Sequence, residues 1–251
     1  MDIEPRTAKE PRDLYGLIYP LAKLALDHRY NLNVINPENI LSEPTIYAAN
    51  HIEFADSLLL TEAVTEETGV PLRMVMKDDY AKGMGIDNKG KYGRAIKYVV
   101  NHTLQIPVSR EGNSRESYQE FEDNVGRALY RGDNIGIHPP GTRTDQDGTQ
   151  PKYKPGAARL AMKFKVPIVS VGIGGYHLNP ETGKIDVDFT FTQPIMPEDV
   201  EHLPYSAIPG VKYKSEYMTQ VLENRAAQAT GLRQTGVFAT LRKFRQPNNH
   251  E

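Results

Sequence analysis

The chain has 251 residues, of which 39% are apolar and 25% carry a charge, and its formal net charge at pH 7 is −2. This composition is typical of a globular domain, and the small negative charge gives no footprint for the binding of bulk nucleic acid. The absence of cysteine excludes disulfide bonds, thiolate metal sites and an acyl thioester on the protein itself.

Residues 1–31 are predicted to form an N-terminal helical segment before the main domain. If Pro20 lies in the first turn of a short helix, one helix face is formed by Leu21, Leu24, Ala25 and His28. That face is suited either to packing on the domain or to contact with a membrane interface. The N-terminus lacks the apolar core of a signal peptide, and no stretch has the roughly 18 apolar residues of a spanning helix. We therefore expect a cytoplasmic protein without a transmembrane anchor.

Strand-like and helix-like segments alternate from residue 32 to residue 230, which we take as the main domain. Strands are predicted at 32–35, 45–49, 73–76, 104–108, 134–138, 168–173 and 186–191. Helices are predicted at 55–68, 90–101, 114–131, 155–164 and 213–230. This alternation predicts an α/β fold with a largely parallel central sheet of about seven strands, flanked by helices. Sites in such sheets form at the carboxyl ends of the strands.

The first segment that indicates chemistry contains His51 and Asp56, between a strand that ends near Ala49 and a helix that begins near Ala55. Residues five apart on one continuous helix lie on different faces, so the two side chains can meet only if His51 lies in the turn. An imidazole oriented by a carboxylate is the base half of a catalytic triad. Alone, the pair is equally explained by a histidine that caps a turn and an aspartate that caps a helix.

Two further segments offer cations after predicted strands. Arg110 follows the strand 104–108, and it is suited either to clamping a phosphate or to a surface ion pair. The strand 134–138 runs into a Pro-Pro-Gly turn that presents Thr142 and Arg143, and Lys154 comes just before a predicted helix. Turn amides, a guanidinium and a helix start form an anion site, although an ordinary loop with solvated lysines remains an alternative.

A fourth segment, 166–171, is predicted to be a buried strand that packs in the core, whether or not it also lines an acyl-chain groove.

Together the four segments resemble the four sequence blocks of the glycerolipid acyltransferase family, which includes the 1-acylglycerol-3-phosphate acyltransferases. The matching stretches are NHIEFAD at 50–56, LQIPVSR at 104–110, HPPGTRT at 138–144 and VPIVSV at 166–171. The resemblance extends from about residue 32 to about residue 200 and includes the K-x-G-A stretch that begins at Lys154. It implies the three-layer fold of glycerol-3-phosphate acyltransferases.

The resemblance also implies roles for individual residues. His51 would be the general base and Asp56 its orienting partner. The phosphate of the acceptor would be held by Arg110, Arg143 and Lys154, in a pocket shaped by Gly141 and Thr142. The family usually has an acidic residue before Gly-Thr-Arg, whereas this chain has Pro140, so the resemblance leaves the acceptor open.

The activity implied is transfer of a fatty acyl group from acyl-CoA or acyl carrier protein to a lysophospholipid-type acceptor, with no cofactor, no metal and no covalent intermediate. The favoured acceptor is 1-acylglycerol-3-phosphate, which gives phosphatidate, and the protein would be peripheral on the inner face of the membrane. Two alternatives remain. One is acylation of a different hydroxyl acceptor, and the other is a non-catalytic protein that binds lipid phosphates on the same scaffold.

Two other classes of protein are less consistent with the sequence. A serine hydrolase would need a G-x-S-x-G elbow, which is absent, and nucleotide binding at 83–85 or 172–175 lacks the required glycine spacing. The basic C-terminal segment, 231–251, offers a second possible membrane contact through an apolar stripe of Val237, Phe238, Leu241 and Phe244.

Overall fold

The computed structural model describes residues 13–83, 93–109, 115–144, 149–201 and 211–231. The helices are α1 (Tyr15–Arg29), α2 (Asp56–Thr68), α3 (Asp78–Lys82), α4 (Gly93–His102), α5 (Arg115–Tyr130), α6 (Gly156–Phe164), α7 (Pro197–Glu201) and α8 (Lys214–Thr230). The strands are β1 (Tyr30–Ile35), β2 (Ile46–Ala49), β3 (Leu72–Lys77), β4 (Ile106–Val108), β5 (Asn134–Ile137), β6 (Ile168–Ile173), β7 (His177–Leu178) and β8 (Ile185–Phe191). The C-terminal stripe predicted at 237–244 and the site residue Arg110 lie outside the described residues.

The strands form one eight-stranded sheet in the order β1-β8-β6-β2-β5-β3-β4, with β7 paired to β8. Strands β6, β2, β5, β3 and β4 are parallel to one another, whereas β8 is antiparallel to β6 and parallel to β1. The predicted α/β fold with a largely parallel sheet flanked by helices is confirmed. Because β2, β4, β5 and β6 point the same way, the carboxyl ends of all four strands that precede or form the sequence blocks lie at one edge.

Each face of the sheet carries its own apolar core, and strand β2 shows why. Ile46 and Ala48 face a cluster built with α5, α6 and α8, whereas Tyr47 and Ala49 face a cluster built with α1 and α2. Successive strand residues point to opposite faces, so a strand covered on both sides reads as a continuous apolar run. All four residues of β2 are fully buried. The turn that follows β2 therefore starts from a fixed position.

Helix α1 differs from the sequence prediction, because Pro20 lies inside it and not in its first turn. Proline lacks the amide that would bond to the carbonyl of Gly16, four residues back, and both residues are exposed, so water can satisfy that carbonyl. The side chain of Asp13 accepts the amide of Tyr15 at 2.9 Å and holds the first turn. The helix consequently begins five residues earlier than its proline suggests.

Helix α1 packs on α2 by one face only. The Tyr15 hydroxyl lies 2.8 Å from the Thr65 hydroxyl, and Lys23 Nζ lies 2.8 Å from a carboxylate oxygen of Glu62. The face predicted from Leu21, Leu24, Ala25 and His28 is exposed instead of packed. A leucine stripe consisting of Leu17, Leu21 and Leu24 has exposed fractions of 68%, 69% and 70%. None of the described helices has both the length and the apolar character needed to cross a membrane.

Strand β4 begins two residues later than predicted because Leu104 has a left-handed backbone, with φ of 50°. The side chain of Gln105 then takes the place of a ladder partner, since its Oε1 accepts the amide of Met74 at 2.6 Å. This bend ends just before the three-residue strand whose carboxyl end leads toward residue 110.

Gly172 lies inside β6 and allows helix α8 to approach the sheet. A Cβ atom added at Gly172 would lie 2.6 Å from the Cβ of Ala229 and 3.1 Å from the carbonyl oxygen of Ala226. The glycines at 172–175 therefore begin with a glycine that the packing of α8 on β6 requires.

Replacing Gly172 with alanine should destabilise the protein, because the added methyl group forces β6 and α8 apart. We expect Gly172→Ala to lower the free energy of unfolding by about 1–3 kcal/mol in urea titrations. The matched control is Gly175→Ala, since a Cβ there meets no atom within 4 Å. An equal loss of stability in both variants would contradict this account of the packing.

Candidate active site

His51 and Asp56 meet at the carboxyl end of β2. Helix α2 begins at Asp56, and His51 lies in the turn before it, which is the arrangement that the five-residue spacing requires. His51 Nδ1 lies 2.8 Å from Asp56 Oδ2, and their side chains are 18% and 0% exposed. A carboxylate only accepts hydrogen bonds, so Nδ1 carries the hydrogen and Nε2 keeps its lone pair. The imidazole is thus held in the tautomer that a general base needs.

Asp56 is held by donors from the turn and from another strand. Its Oδ2 also accepts the amides of Ile52 at 2.5 Å and Glu53 at 2.9 Å, and its Oδ1 accepts the Tyr176 hydroxyl. Burial alone would raise the pKa of Asp56, but hydrogen bonds from His51, Tyr176 and Ile52 lower it, and a positive charge on His138 lowers it further only where His138 is protonated. Asp56 is therefore an anion at neutral pH even though it is fully buried.

Asn50 and Tyr176 are parts of the site to which the sequence gave no role. The side chain of Asn50 accepts the amide of Ile173 at 2.6 Å and donates to its carbonyl at 3.2 Å, so it fastens the turn to the end of β6. Tyr176 lies three residues beyond that strand end. Asn50 lies in the first sequence block, whereas Tyr176 belongs to no motif and its contact with Asp56 is evident only in the folded structure.

His138 is a third residue without a predicted role, and it stacks on His51. The ring centroids are 4.2 Å apart and the planes differ by 12°. His138 Nδ1 lies 2.9 Å from the carbonyl oxygen of Asn50, and Nε2 lies 3.1 Å from the Ser57 hydroxyl. Burial first, and then the positive charge on His51, lower the pKa of His138 to about 4. This second imidazole is therefore uncharged at neutral pH.

The turn after β5 is fastened to the backbone of His51. The amide of Gly141 donates to the carbonyl of His138 at 2.9 Å, and Gly141 has a φ of 70°, a conformation that favours glycine. Both the amide and the hydroxyl of Thr144 donate to the carbonyl of His51, at 2.6 and 3.0 Å. Thr142 and Arg143 lie between these two anchor points and are exposed. The turn thus brings two of the predicted phosphate-binding residues next to the His-Asp pair.

Lys154 joins the same turn through its backbone. Its amide donates to the carbonyl of Pro139 at 3.0 Å, its side chain is exposed, and α6 begins two residues later. Gly141, Thr142, Arg143 and Lys154 are therefore gathered around one turn, as the anion-site interpretation requires. Pro140 is buried in that turn, so no carboxylate stands before Gly-Thr-Arg.

Two alternative chemistries find no support around His51. Within the described ranges no serine hydrogen-bonds to His51, and the neighbouring Ser57 bonds to His138 instead. No group of three histidine or carboxylate side chains in the same ranges is placed to hold a metal ion.

Comparison with known proteins places this chain in a family. The family described as Acyltransferase matches residues 31–174, which is more than half of the chain and includes every predicted site residue. Among solved structures, the chain is similar to the 1-acyl-sn-glycerophosphate (LPA) acyltransferase PlsC from Thermotoga maritima, with a TM-score of 0.52 and 20% identity. That likeness covers 86% of this chain and 79% of the other, and it shows a shared fold. No curated protein matches the chain.

The low pKa of His138 should make stability depend on pH. An unfolded histidine binds its proton near pH 6.5, and folded His138 does so near pH 4, so the unfolded state binds more protons between these values. Stability should therefore fall as pH decreases from about 6.5 to about 4, by up to roughly 1.4 kcal/mol per pH unit from this group. His138→Phe should show a shallower slope in urea titrations over that range. Plots of unfolding free energy against pH should run parallel for wild type and His138→Phe between pH 7 and 8. Parallel plots between pH 4 and 6.5 would contradict the low pKa of His138.

Proposed function

Because this chain belongs to the acyltransferase family, we propose that it transfers a fatty acyl group from an acyl thioester to the hydroxyl of a lysophospholipid-type acceptor. We favour 1-acylglycerol-3-phosphate as the acceptor, which gives phosphatidate, and acyl-CoA or acyl carrier protein as the donor. The fold shared with an LPA acyltransferase supports this choice. The observation that carries the proposal is the hydrogen bond from His51 to buried Asp56 beside the turn that presents Arg143.

In the proposed reaction, His51 Nε2 takes the proton of the acceptor hydroxyl while that oxygen attacks the thioester carbonyl carbon. The new C–O bond forms, the C–S bond breaks, and the proton on His51 passes to the thiolate, so that a free thiol and an ester leave the site. Asp56 keeps the proton on Nδ1 and stabilises the imidazolium that exists between the two transfers. A positioned base contributes about 10²–10⁴ in rate, and alignment of donor and acceptor contributes the remainder.

We assign the acceptor's phosphate to the exposed cations around the 138–144 turn. The amide of Lys154 donates to the carbonyl of Pro139, and Arg143 lies between Gly141 and Thr144, whose amides are bonded to the carbonyls of His138 and His51. A guanidinium matches phosphate oxygens in a fork. Gly141 and Thr142 shape the same turn, and Arg110 is assigned to this pocket from the sequence alone. Because Pro140 replaces a carboxylate, no negative charge at that position competes with the phosphate for these cations.

Two alternatives to this acceptor follow from Pro140. The missing carboxylate is compatible with a different hydroxyl acceptor, which a panel of lysolipids and simple alcohols with one acyl-CoA would identify. It is also compatible with a non-catalytic lipid-phosphate binder, which would release no thiol with any acceptor. The buried, fully bonded Asp56 favours catalysis, since phosphate binding needs no oriented imidazole.

The direct test is thiol release from acyl-CoA in the presence of 1-acylglycerol-3-phosphate. The chain has no cysteine, so every thiol detected comes from the donor. We expect His51→Ala to reduce kcat by at least about 100-fold, and Asp56→Asn by a similar factor, because an asparagine cannot stabilise the imidazolium.

The matched control for that test is His102→Ala. His102 also stacks on an aromatic ring, that of Tyr98, at a centroid distance of 4.1 Å, but it lies at the end of α4. This variant should keep wild-type kcat. Equal thiol release by wild type and His51→Ala would overturn the mechanism.

We further propose that the leucine stripe of α1 docks the protein on the cytoplasmic face of a membrane, where its lipid acceptor resides. The three leucines follow the helical repeat and project away from the face that packs on α2. Inserting each side chain among lipid tails contributes roughly 1.5 kcal/mol or more. This surface would hold a peripheral protein at the bilayer that contains its lipid acceptor.

Co-sedimentation with anionic phospholipid vesicles tests this docking. Replacing both Leu17 and Leu21 with glutamate should weaken vesicle binding at least ten-fold, because two apolar contacts are lost and two negative charges face an anionic surface. Leu178→Glu is the control, since Leu178 is 68% exposed but belongs to β7. Equal vesicle binding by the double variant and wild type would contradict the proposal.

A further inference from the structure

His138 reaches His51 because their strands are neighbours in the sheet. Strands β2 and β5 pair in parallel, with Ala48 opposite Ile137, so the residues that follow both strands emerge side by side. His51 projects from one strand end and His138 from the other, and their rings lie face to face at 4.2 Å. The contact therefore depends on the central strand pair and not on a mobile loop.

Both ring nitrogens of His138 are engaged. The carbonyl oxygens of Asn50 and Ala49 lie 2.9 and 3.2 Å from Nδ1, and a carbonyl only accepts, so Nδ1 carries the hydrogen. Nε2 is then the acceptor of the Ser57 hydroxyl at 3.1 Å. Rotating the ring would break the bonds on both sides, so His138 has one orientation relative to the backbone that carries His51.

These contacts do not make His138 and Ser57 a second base and nucleophile. With a pKa of about 4, His138 is a much weaker base than an ordinary histidine. An efficient general base has a pKa near the working pH. The hydroxyl of Ser57 therefore holds the ring instead of being activated by it, and the uncharged ring does not repel His51 when His51 takes up a proton.

We propose that His138 is a positioning residue for the reaction, and that its fixed ring is the wall against which the His51 imidazole is held in line with the acceptor hydroxyl. Asp56 fixes one edge of the His51 ring, and this leaves the ring free to tilt about that hydrogen bond. A flat surface at stacking distance removes the tilt. The proposal rests on the proposed acyl transfer. It assigns a role to His138, to which the family resemblance gives none.

Two substitutions at His138 distinguish the effect of a flat ring on activity from the effect of side-chain volume alone. His138→Phe keeps a flat ring, and His138→Leu fills a similar volume without one. Misplacing a catalytic group by about 1 Å costs on the order of 10² in rate, so we expect kcat of the Leu variant to fall 10- to 100-fold. We expect the Phe variant to stay within about three-fold of wild type. KM for donor and acceptor should change less than about three-fold in both, since the ring contacts the base and not the substrate.

A second measurement does not depend on activity. In NMR spectra the ring hydrogens of His51, assigned with His51→Ala, should be displaced by the ring current of the stacked neighbour. The displacement should persist in His138→Phe and vanish in His138→Leu. His102→Ala, which removes a histidine stacked on Tyr98 at the end of α4, should retain the displacement and wild-type kcat within about three-fold.

The outcomes distinguish failure of this inference from failure of the proposed function. If wild-type protein releases thiol and the Leu variant is equally fast, or the Phe variant is as slow as the Leu variant, the positioning role is wrong. If wild type acylates no acceptor, the proposed function fails, and the NMR comparison still decides whether His138 holds the His51 ring.

Discussion

The site depends on one buried carboxylate. Asp56 is fully desolvated, and an ion in that position costs several kcal/mol unless hydrogen bonds replace the lost water. Four donors do so: the His51 ring, the Ile52 and Glu53 amides and the Tyr176 hydroxyl. Because these donors come from a turn and from the segment after β6, the charge can be buried only when both are correctly placed. The placement of these two segments and the orientation of the imidazole therefore depend on the same carboxylate.

The sheet explains how short stretches far apart in sequence form one site. Strand β2 lies between β5 and β6, and the ends of these three strands supply His51, His138 and the anchor for Asn50. Each stretch alone has an ordinary explanation as a cap, a turn or a core strand. Parallel alignment brings them to one edge, where backbone bonds from Thr144 and Lys154 complete the arrangement. The family match spans residues 31–174, a range that contains all of these stretches.

Features that depend on local sequence were predictable, and features that depend on contacts between distant segments were not. Apolar periodicity located α2, α5, α6 and α8 to within about two residues, and the five-residue spacing required His51 in the turn and Asp56 in the first helical turn. Periodicity carries no information on strand direction, so it does not predict that β1 and β8 run opposite to the five parallel strands of the sheet. Tyr176 lies 120 residues from Asp56 in the sequence, and His138 lies 87 residues from His51. Patterns in the local sequence do not predict contacts over such separations. Pro20 can lie inside α1 because the Gly16 carbonyl that it leaves without an amide partner is at an exposed position.

The paired bonds from Thr144 to the carbonyl of His51 have an evolutionary consequence. One residue occupies both acceptor positions of that oxygen, so the turn after β5 and the backbone of His51 are held to move together. In the proposed reaction, lengthening or rerouting this segment to admit a bulkier acceptor would therefore also move His51. Diversification among descendants of this scaffold should instead proceed through exchanges of outward-facing side chains on an unchanged main-chain path.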